Sequence, residues 1–197
     1  MQVSILKNKL IVAENVFDQN AYGIVAGEID KLRPKIEPTY HGTDVILYRA
    51  VLDNLFPDRK MSFILQALPE ILYGSAVLEQ VEQLHDLSYT LMNKHHKFTT
   101  TLTEMRGDTD YRTHTDTGDG ENWTGIFMSW IWYFNPHPEK FSGGDLEVPE
   151  LDLVIEPQDN RLVLLPAYLK HRIGRPVFSN PEEKYYRTTI NGFLTLR

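Results

Sequence analysis

From Phe98 to its end the chain is written in short apolar or alternating runs, each cut off by a turn signal. That texture constrains the fold more than any other feature. The runs cover 125–134, 145–148, 151–155, 161–165, 171–173 and 185–196 and follow the β-branched stretch Thr99-Thr100-Thr101-Leu102-Thr103. Asp119-Gly120, Asn135-Pro136, Gly143-Gly144 and Pro157-Gln158-Asp159-Asn160 separate them. Segments of this length and composition, bounded by turn residues, read as strands. The first half reads differently. After an expected strand near 3–13, Phe17, Ala21, Ile24, Val25, Ile29 and Leu32 recur at helical spacing, with Asn15 or Asp18 set to cap the start and Arg33-Pro34 to end it. From Pro69, residues Val77, Val81, Leu84, Leu87 and Leu91 predict a second, longer helix that fades at Asn93-Lys94-His95-His96-Lys97. One apolar stripe per helix predicts helices lying on a sheet. The expected fold class is α+β, mainly β, with N-terminal supporting helices buttressing a sandwich or barrel. A single domain over 1–197 is expected, with 1–97 as helical support and 98–197 as the sheet core that carries function.

Composition narrows the chemistry. There is no cysteine, which removes disulfides, zinc–thiolate sites, iron–sulfur clusters and cysteine nucleophiles together. Any metal must be held by His, Asp or Glu. The net charge of −7, with no run of lysines and arginines, argues against binding nucleic acid through its phosphates. Lysines interrupt the apolar start and no stretch of 18 apolar residues occurs, so neither a signal peptide nor a membrane span is expected. A soluble, cytoplasmic protein is the expectation.

Of seven histidines, His85 reads as a helix residue, His95 and His96 as the end of a helix, and His41 and His137 as loop positions. His114 differs because of its neighbours. In Tyr111-Arg112-Thr113-His114-Thr115-Asp116 the imidazole and carboxylate are two apart, so an extended backbone turns both to one side. A metal would need a third ligand, and His171, after the run Arg161-Leu162-Val163-Leu164-Leu165-Pro166, would complete a set of two histidines and one carboxylate. Two histidines and one carboxylate occupy one face of an octahedral metal and leave the other positions open, as in non-haem Fe(II) oxygenases. Further on, Arg187, Thr189, Asn191 and Phe193 alternate onto one strand face. An arginine with a hydroxyl two residues away can hold a carboxylate through charge-assisted hydrogen bonds.

Six blocks in order then carry a resemblance: Tyr111 to Asp116, Ile131-Trp132-Tyr133-Phe134-Asn135, Phe141-Ser142-Gly143-Gly144-Asp145-Leu146, Asn160 to Pro166, His171-Arg172-Ile173-Gly174-Arg175-Pro176-Val177, and Tyr186 to Gly192. Over residues 99–196 the chain resembles the Fe(II)- and 2-oxoglutarate-dependent dioxygenases, in their prolyl 4-hydroxylase-like branch. The resemblance implies a double-stranded β-helix, a jelly-roll or cupin-like fold. It implies His114, Asp116 and His171 as iron ligands and catalytic residues. It also implies Arg187 pairing with the distal carboxylate of 2-oxoglutarate, supported by Thr189 and the hydroxyl of Tyr133. Asn191 is expected to bond an iron-bound water or Asp116, and Trp130 and Trp132 to pack between sheet and helices. Leu146, Leu164 and Phe193 are candidates for the pocket wall. Hypoxia-type prolyl hydroxylases carry a second tyrosine about ten residues before the first ligand histidine, where this chain has Glu104-Met105.

The implied activity is hydroxylation of an aliphatic C–H, of a prolyl or other side chain in a peptide or protein, with Fe(II), 2-oxoglutarate and O₂, succinate and CO₂ as coproducts and ascorbate as a supporting reductant. A hydroxylase of a free amino acid or small metabolite is the alternative, and a non-enzymatic metal- or ligand-binding β-barrel the further one. Substrate entry is expected past the loops 107–110 and 117–122, where Asp119 and Glu121 suit a cation while Lys170, Arg172 and Arg175 suit an anion.

Overall fold

The computed structural model describes residues 1–41, 45–92, 96–106, 111–118, 124–183 and 185–196. The expected first strand is a hairpin, β1 (Gln2–Leu6) and β2 (Leu10–Glu14). Lys7 and Asn8 close it at positive φ, 51° and 52°. Helix α1 (Gln19–Leu32) follows, capped by Asp18, whose side chain accepts from the Ala21 amide at 2.9 Å. Val25, Ile29 and Leu32 of its predicted stripe are buried, whereas Ile24 faces solvent.

The next stretch departs from expectation. Residues 1–97 are not helical support alone, because β3 (Glu37–His41) and β4 (Val45–Val51) join the main sheet. The single long helix expected from Pro69 is instead α3 (Phe63–Leu72), α4 (Ser75–Val81) and α5 (Leu87–Leu91), after the short α2 (Leu52–Leu55). Ser62 starts α3 by accepting from the Leu65 amide at 3.2 Å, ahead of Pro69, which therefore lies inside the helix. Tyr73-Gly74 breaks the path, and a Cβ on Gly74 would sit 3.1 Å from the Glu70 carbonyl. Leu84 is buried but Leu87 is exposed, since the chain turns between them; His85 lies in that connection. His96 begins a strand rather than ending a helix, and His95 lies outside the described residues.

The strands of the second half are β5 (His96–Phe98), β6 (Thr101–Met105), β7 (Tyr111–His114), β8 (Ile126–Phe134), β9 (Phe141–Gly143), β10 (Leu146–Val148), β11 (Leu153–Ile155), β12 (Leu162–Pro166), β13 (His171–Ile173), β14 (Pro176–Phe178) and β15 (Arg187–Leu196). The main sheet runs β1-β2-β12-β8-β15-β6-β4-β3, with β5 on the end of β15. A second sheet runs β11-β10-β13-β7, and β14 pairs with β9.

Alternation along β8 divides the interior. Trp130 and Trp132 face the helices, fully buried, with the Phe17 ring 5.1 Å from Trp132 and edge-on. Burying large apolar side chains at about 1.5–3 kcal/mol each makes this helix–sheet layer the main source of stability. Asn160 fastens it: its amide donates to Phe17 O at 2.8 Å while its Oδ1 accepts from the Phe17 amide at 3.0 Å. On the other face Tyr133 joins Leu146, Val148, Val163 and Leu165 between the two sheets. That second core closes one end of the barrel and leaves the other end for polar groups. Gly192 has no alternative residue, since a Cβ there would lie 1.8 Å from the Thr99 carbonyl.

Candidate active site

Three elements bring the expected ligands together. β7 ends on His114, β13 begins on His171, and the antiparallel register sets the two opposite each other. Asp116 follows β7 in a turn held by its own amide, which donates to Ala167 O at 2.9 Å. One ligand atom from each of His114, Asp116 and His171 lies within 4.8 Å of the others, close enough for one metal ion.

Each imidazole is oriented from behind. His114 Nδ1 is 2.9 Å from Arg112 O and His171 Nδ1 is 2.9 Å from Leu169 O. A carbonyl partner requires Nδ1 to carry the proton, so a neutral ring turns its Nε2 lone pair toward the metal position, while a doubly protonated ring is charged and donates from Nε2 to Asp116. The two Nε2 atoms stand 3.3 and 3.4 Å from the Asp116 oxygens. Burial pushes the Asp116 carboxyl up, but hydrogen bonds from His114 and Ser129 and the two imidazole charges outweigh it, so the group stays below the ordinary carboxylate value. Ser129 Oγ donates to Asp116 Oδ2 at 2.5 Å, so a hydroxyl on β8 orients the carboxylate.

The triad opens into a cavity that Arg187, Thr189, Asn191 and Phe193 also line. Arg187 is 3% exposed and begins β15 opposite Met105. Its Nε donates to Gly144 O at 2.8 Å, and its Nη1 lies 3.7 Å from Met105 Sδ. Gly144 allows that approach by having no Cβ, which would stand 2.6 Å from Arg187 Cδ, and by its φ of +77°. Arg187 Nη2 and Tyr133 Oη are both buried without a hydrogen-bond partner, the guanidinium lying 5.3 Å from the Tyr133 ring centroid. Burial pulls the Arg187 guanidinium down from its ordinary value, opposed by Tyr133 and Asp145. A cavity-lining guanidinium with an unsatisfied phenol beside it offers a seat for a carboxylate, since leaving such donors unpaired is costly.

Other expectations land differently. Thr189 Oγ1 bonds Asn191 Oδ1 at 3.3 Å and not the arginine. Phe193 lines the cavity; Leu164 sits in the helix-side core and Leu146 in the core between the sheets. Lys170 is exposed and Arg172 pairs with Glu147 at 2.6 Å. Of the two expected entry loops, 107–110 and 119–122 lie outside the described residues, among them Asp119 and Glu121. On β6, Thr103 and Met105 line the cavity, while Glu104 turns to the opposite face, fully buried between Arg33 and Arg106.

Sequence reasoning missed Leu47 and Arg49 of β4 and Ser129 as the partner of Asp116. The alternation of Val45-Ile46-Leu47-Tyr48-Arg49-Ala50-Val51 was a strand signal that could have found the first two.

Residues 100–195, just under half of the chain, match the profile of the 2OG-Fe(II) oxygenase superfamily. An uncharacterised PKHD-type hydroxylase of Synechocystis is 26% identical over 96 residues, 43% of this chain and 31% of that protein, so the match spans under a third of the relative. Among solved structures, a Pseudomonas putida prolyl-4-hydroxylase superposes with a TM-score of 0.69 at 14% identity, over 97% of this chain and 94% of that one. A Trichoplax adhaerens prolyl hydroxylase, solved with a hypoxia inducible factor oxygen degradation domain peptide fragment, gives 0.67 at 13% identity, over 96% and 84%. The shared fold is the expected double-stranded β-helix.

Proposed function

We propose that this chain, whose residues 100–195 match the profile of the 2OG-Fe(II) oxygenase superfamily, hydroxylates an aliphatic C–H, of a prolyl or other side chain in a peptide or protein. His114, Asp116 and His171 would hold Fe(II), and Arg187 with Tyr133 the distal carboxylate of 2-oxoglutarate. The observation that carries the reading is the pairing of two features in one cavity. The His-Asp-His cluster and Arg187 line the same cavity, and Arg187 Nη2 and the neighbouring Tyr133 Oη are buried without a hydrogen-bond partner. Both fit their groups: the cluster is a facial set with open positions, and the donor pair matches a carboxylate.

When bound, Fe(II) with 2-oxoglutarate and O₂ supplies the oxidation that inserts one oxygen atom into the substrate C–H, the other leaving in succinate, with release of CO₂. The protein's part is positioning. Arg112 O and Leu169 O fix the imidazole tautomers and Ser129 fixes the carboxylate. Arg187 orients the cosubstrate from a site shielded from water, where a charged hydrogen bond is stronger than in solution. Leu47, Met105 and Ile173 keep the cavity wall apolar, which limits water near the oxidising centre. Residues 1–197 act as one unit in this reading, and ascorbate serves as the external reductant in a cell compartment that supplies iron in its reduced state.

Formation of succinate from 2-oxoglutarate, dependent on Fe(II) and lost in H114A, D116A and H171A, is the test. Turnover that survives all three substitutions would overturn the assignment.

A further inference from the structure

We propose that the hydroxyl of Thr103 is a further donor to the distal carboxylate of 2-oxoglutarate, taking the part expected of Thr189. The inference rests on the function proposed above and adds a binding residue to that same site.

Thr103 lies in the middle of β6 and lines the cavity together with Arg187 and the metal cluster. It is 6% exposed, and its Oγ1 is buried without a hydrogen-bond partner among the described residues. The strand itself does not require a hydroxyl there. A β-branched side chain suits a strand, but valine has the same shape and would leave no polar atom unpaired. The residue opposite does not meet the need either. Thr189 faces Thr103 across the β6–β15 ladder, yet its own hydroxyl is engaged with Asn191 Oδ1 at 3.3 Å.

Strand register places the unpaired hydroxyl next to Arg187. Across the main sheet Thr103, Thr189 and Tyr133 form one row, each directly opposite the next. Met105, two residues along β6 on the same face as Thr103, stands opposite Arg187 and has its Sδ 3.7 Å from Nη1. Thr103 is therefore the diagonal neighbour of Arg187, about 7–8 Å away at ordinary sheet geometry. The Arg187 side chain leans over the row, its guanidinium carbon 5.3 Å from the Tyr133 ring centroid. Three donors are thus left open around one spot: Arg187 Nη2, Tyr133 Oη on the β8 side and Thr103 Oγ1 on the β6 side. A carboxylate has two oxygens with about four lone-pair sites, enough to accept from all three. On binding it, Thr103 exchanges an unpaired hydroxyl for a bond to a charged acceptor, a stronger kind than one between neutral groups. The hydroxyl therefore weakens the protein alone and strengthens its complex, two effects of opposite sign.

Calorimetric titration of 2-oxoglutarate into the full chain loaded with Mn(II), without oxygen, compares wild type, Thr103→Val and Thr103→Ser. Loss of one hydrogen bond predicts binding about fivefold weaker in Thr103→Val, whereas Thr103→Ser, which keeps the hydroxyl, should stay within about twofold. 2-Oxovalerate, with the same chain and oxo-acid end but no distal carboxylate, should bind wild type and Thr103→Val alike. Thermal unfolding supplies a readout that separates binding from packing. Without 2-oxoglutarate, Thr103→Val should melt no lower than wild type, and a fixed excess of 2-oxoglutarate should raise its melting temperature less. A Thr103→Val protein that holds 2-oxoglutarate as tightly as wild type, that loses both ligands equally, or that already melts lower without ligand overturns the proposal. A wild-type protein that binds no 2-oxoglutarate overturns the proposed function, and this inference with it.

Discussion

His171 lies directly across the β7–β13 ladder from His114, with ring centroids 4.4 Å apart. Because side chains alternate along a strand, a slip of one residue in this pairing would turn one ring to the opposite face and dissolve the cluster. The pairing shifts register between His171 and Ile173, confining the irregularity to the far side of the ligand pair.

Ser129 should matter to metal binding without touching the metal. Ser129→Ala removes the hydroxyl that fixes Asp116 Oδ2 and is expected to weaken Fe(II) or Mn(II) binding about 10- to 100-fold, the range for loss of a partner behind a ligand. Competition against a chromophoric chelator measures this. Unchanged affinity would show that Asp116 is oriented by its turn alone.

The vacant seat at Arg187 predicts a separation of effects. Tyr133→Phe should weaken 2-oxoglutarate binding to the metal-loaded protein by about 1 kcal/mol, roughly fivefold, as for one lost hydrogen bond. Arg187→Lys, which keeps the charge but loses the fork, should weaken it more. Metal affinity should be unchanged in both. Calorimetric titration distinguishes the two ligands, and a parallel loss of metal binding would mean general disruption.

Gly144 is a neighbour of the site that no chemical argument would select. In Gly144→Ala the new Cβ collides with Arg187 Cδ and Nε while the backbone is held at positive φ. Both displace the guanidinium. We expect a loss of 2-oxoglutarate affinity at least as large as that of Tyr133→Phe, with metal binding intact.

Far from the cavity, Asp86 accepts from Lys9 Nζ at 2.9 Å and Tyr168 Oη at 2.6 Å and caps α5 through the Ser88 amide at 3.0 Å. Burial pushes its carboxyl up, but the bonds from Tyr168, Lys9 and Ser88 outweigh it, so the group sits below its ordinary 3.8. A depressed folded value means the stabilisation is complete above pH 3.8 and disappears as pH falls through the folded value. Asp86→Asn should therefore cost about 1.5–3 kcal/mol at neutral pH, the range for hydrogen bonds to a charged group. It should also flatten the acid limb of the stability curve. Urea unfolding at pH 7 and below pH 4 checks both; identical acid limbs would rule Asp86 out as a contributor.

The candidate site was legible where its residues come from one strand each with fixed alternation. His114 with Asp116, and Arg187 with Thr189, could be read as same-side pairs because spacing of two dictates the side. Arg49 was not legible, because its place in the cavity depends on β4 lying beside β6, a pairing between segments some fifty residues apart. Ser129 escaped for the same reason: nothing local says that β8 passes behind Asp116. The long helix expected after Pro69 was misread because the apolar spacing continues through Tyr73-Gly74 and the connection at His85, where capping and turn geometry, not periodicity, end the helices.

The sequence by itself determined the strand-rich second half, the capped first helix, the two-histidine and carboxylate set, and the arginine that faces the same interior. These follow from short-range periodicity and residue chemistry. Tertiary structure alone decided that β1 to β4 complete the main sheet and that His171 meets His114. It also decided that Arg187 lies against Gly144 and Tyr133, and that Arg49 lines the same cavity as His114, Asp116 and His171. Those outcomes depend on which strands pair and in what register. Strand pairing is settled by burial and hydrogen bonding summed over the whole sheet, a quantity that no local stretch of sequence carries.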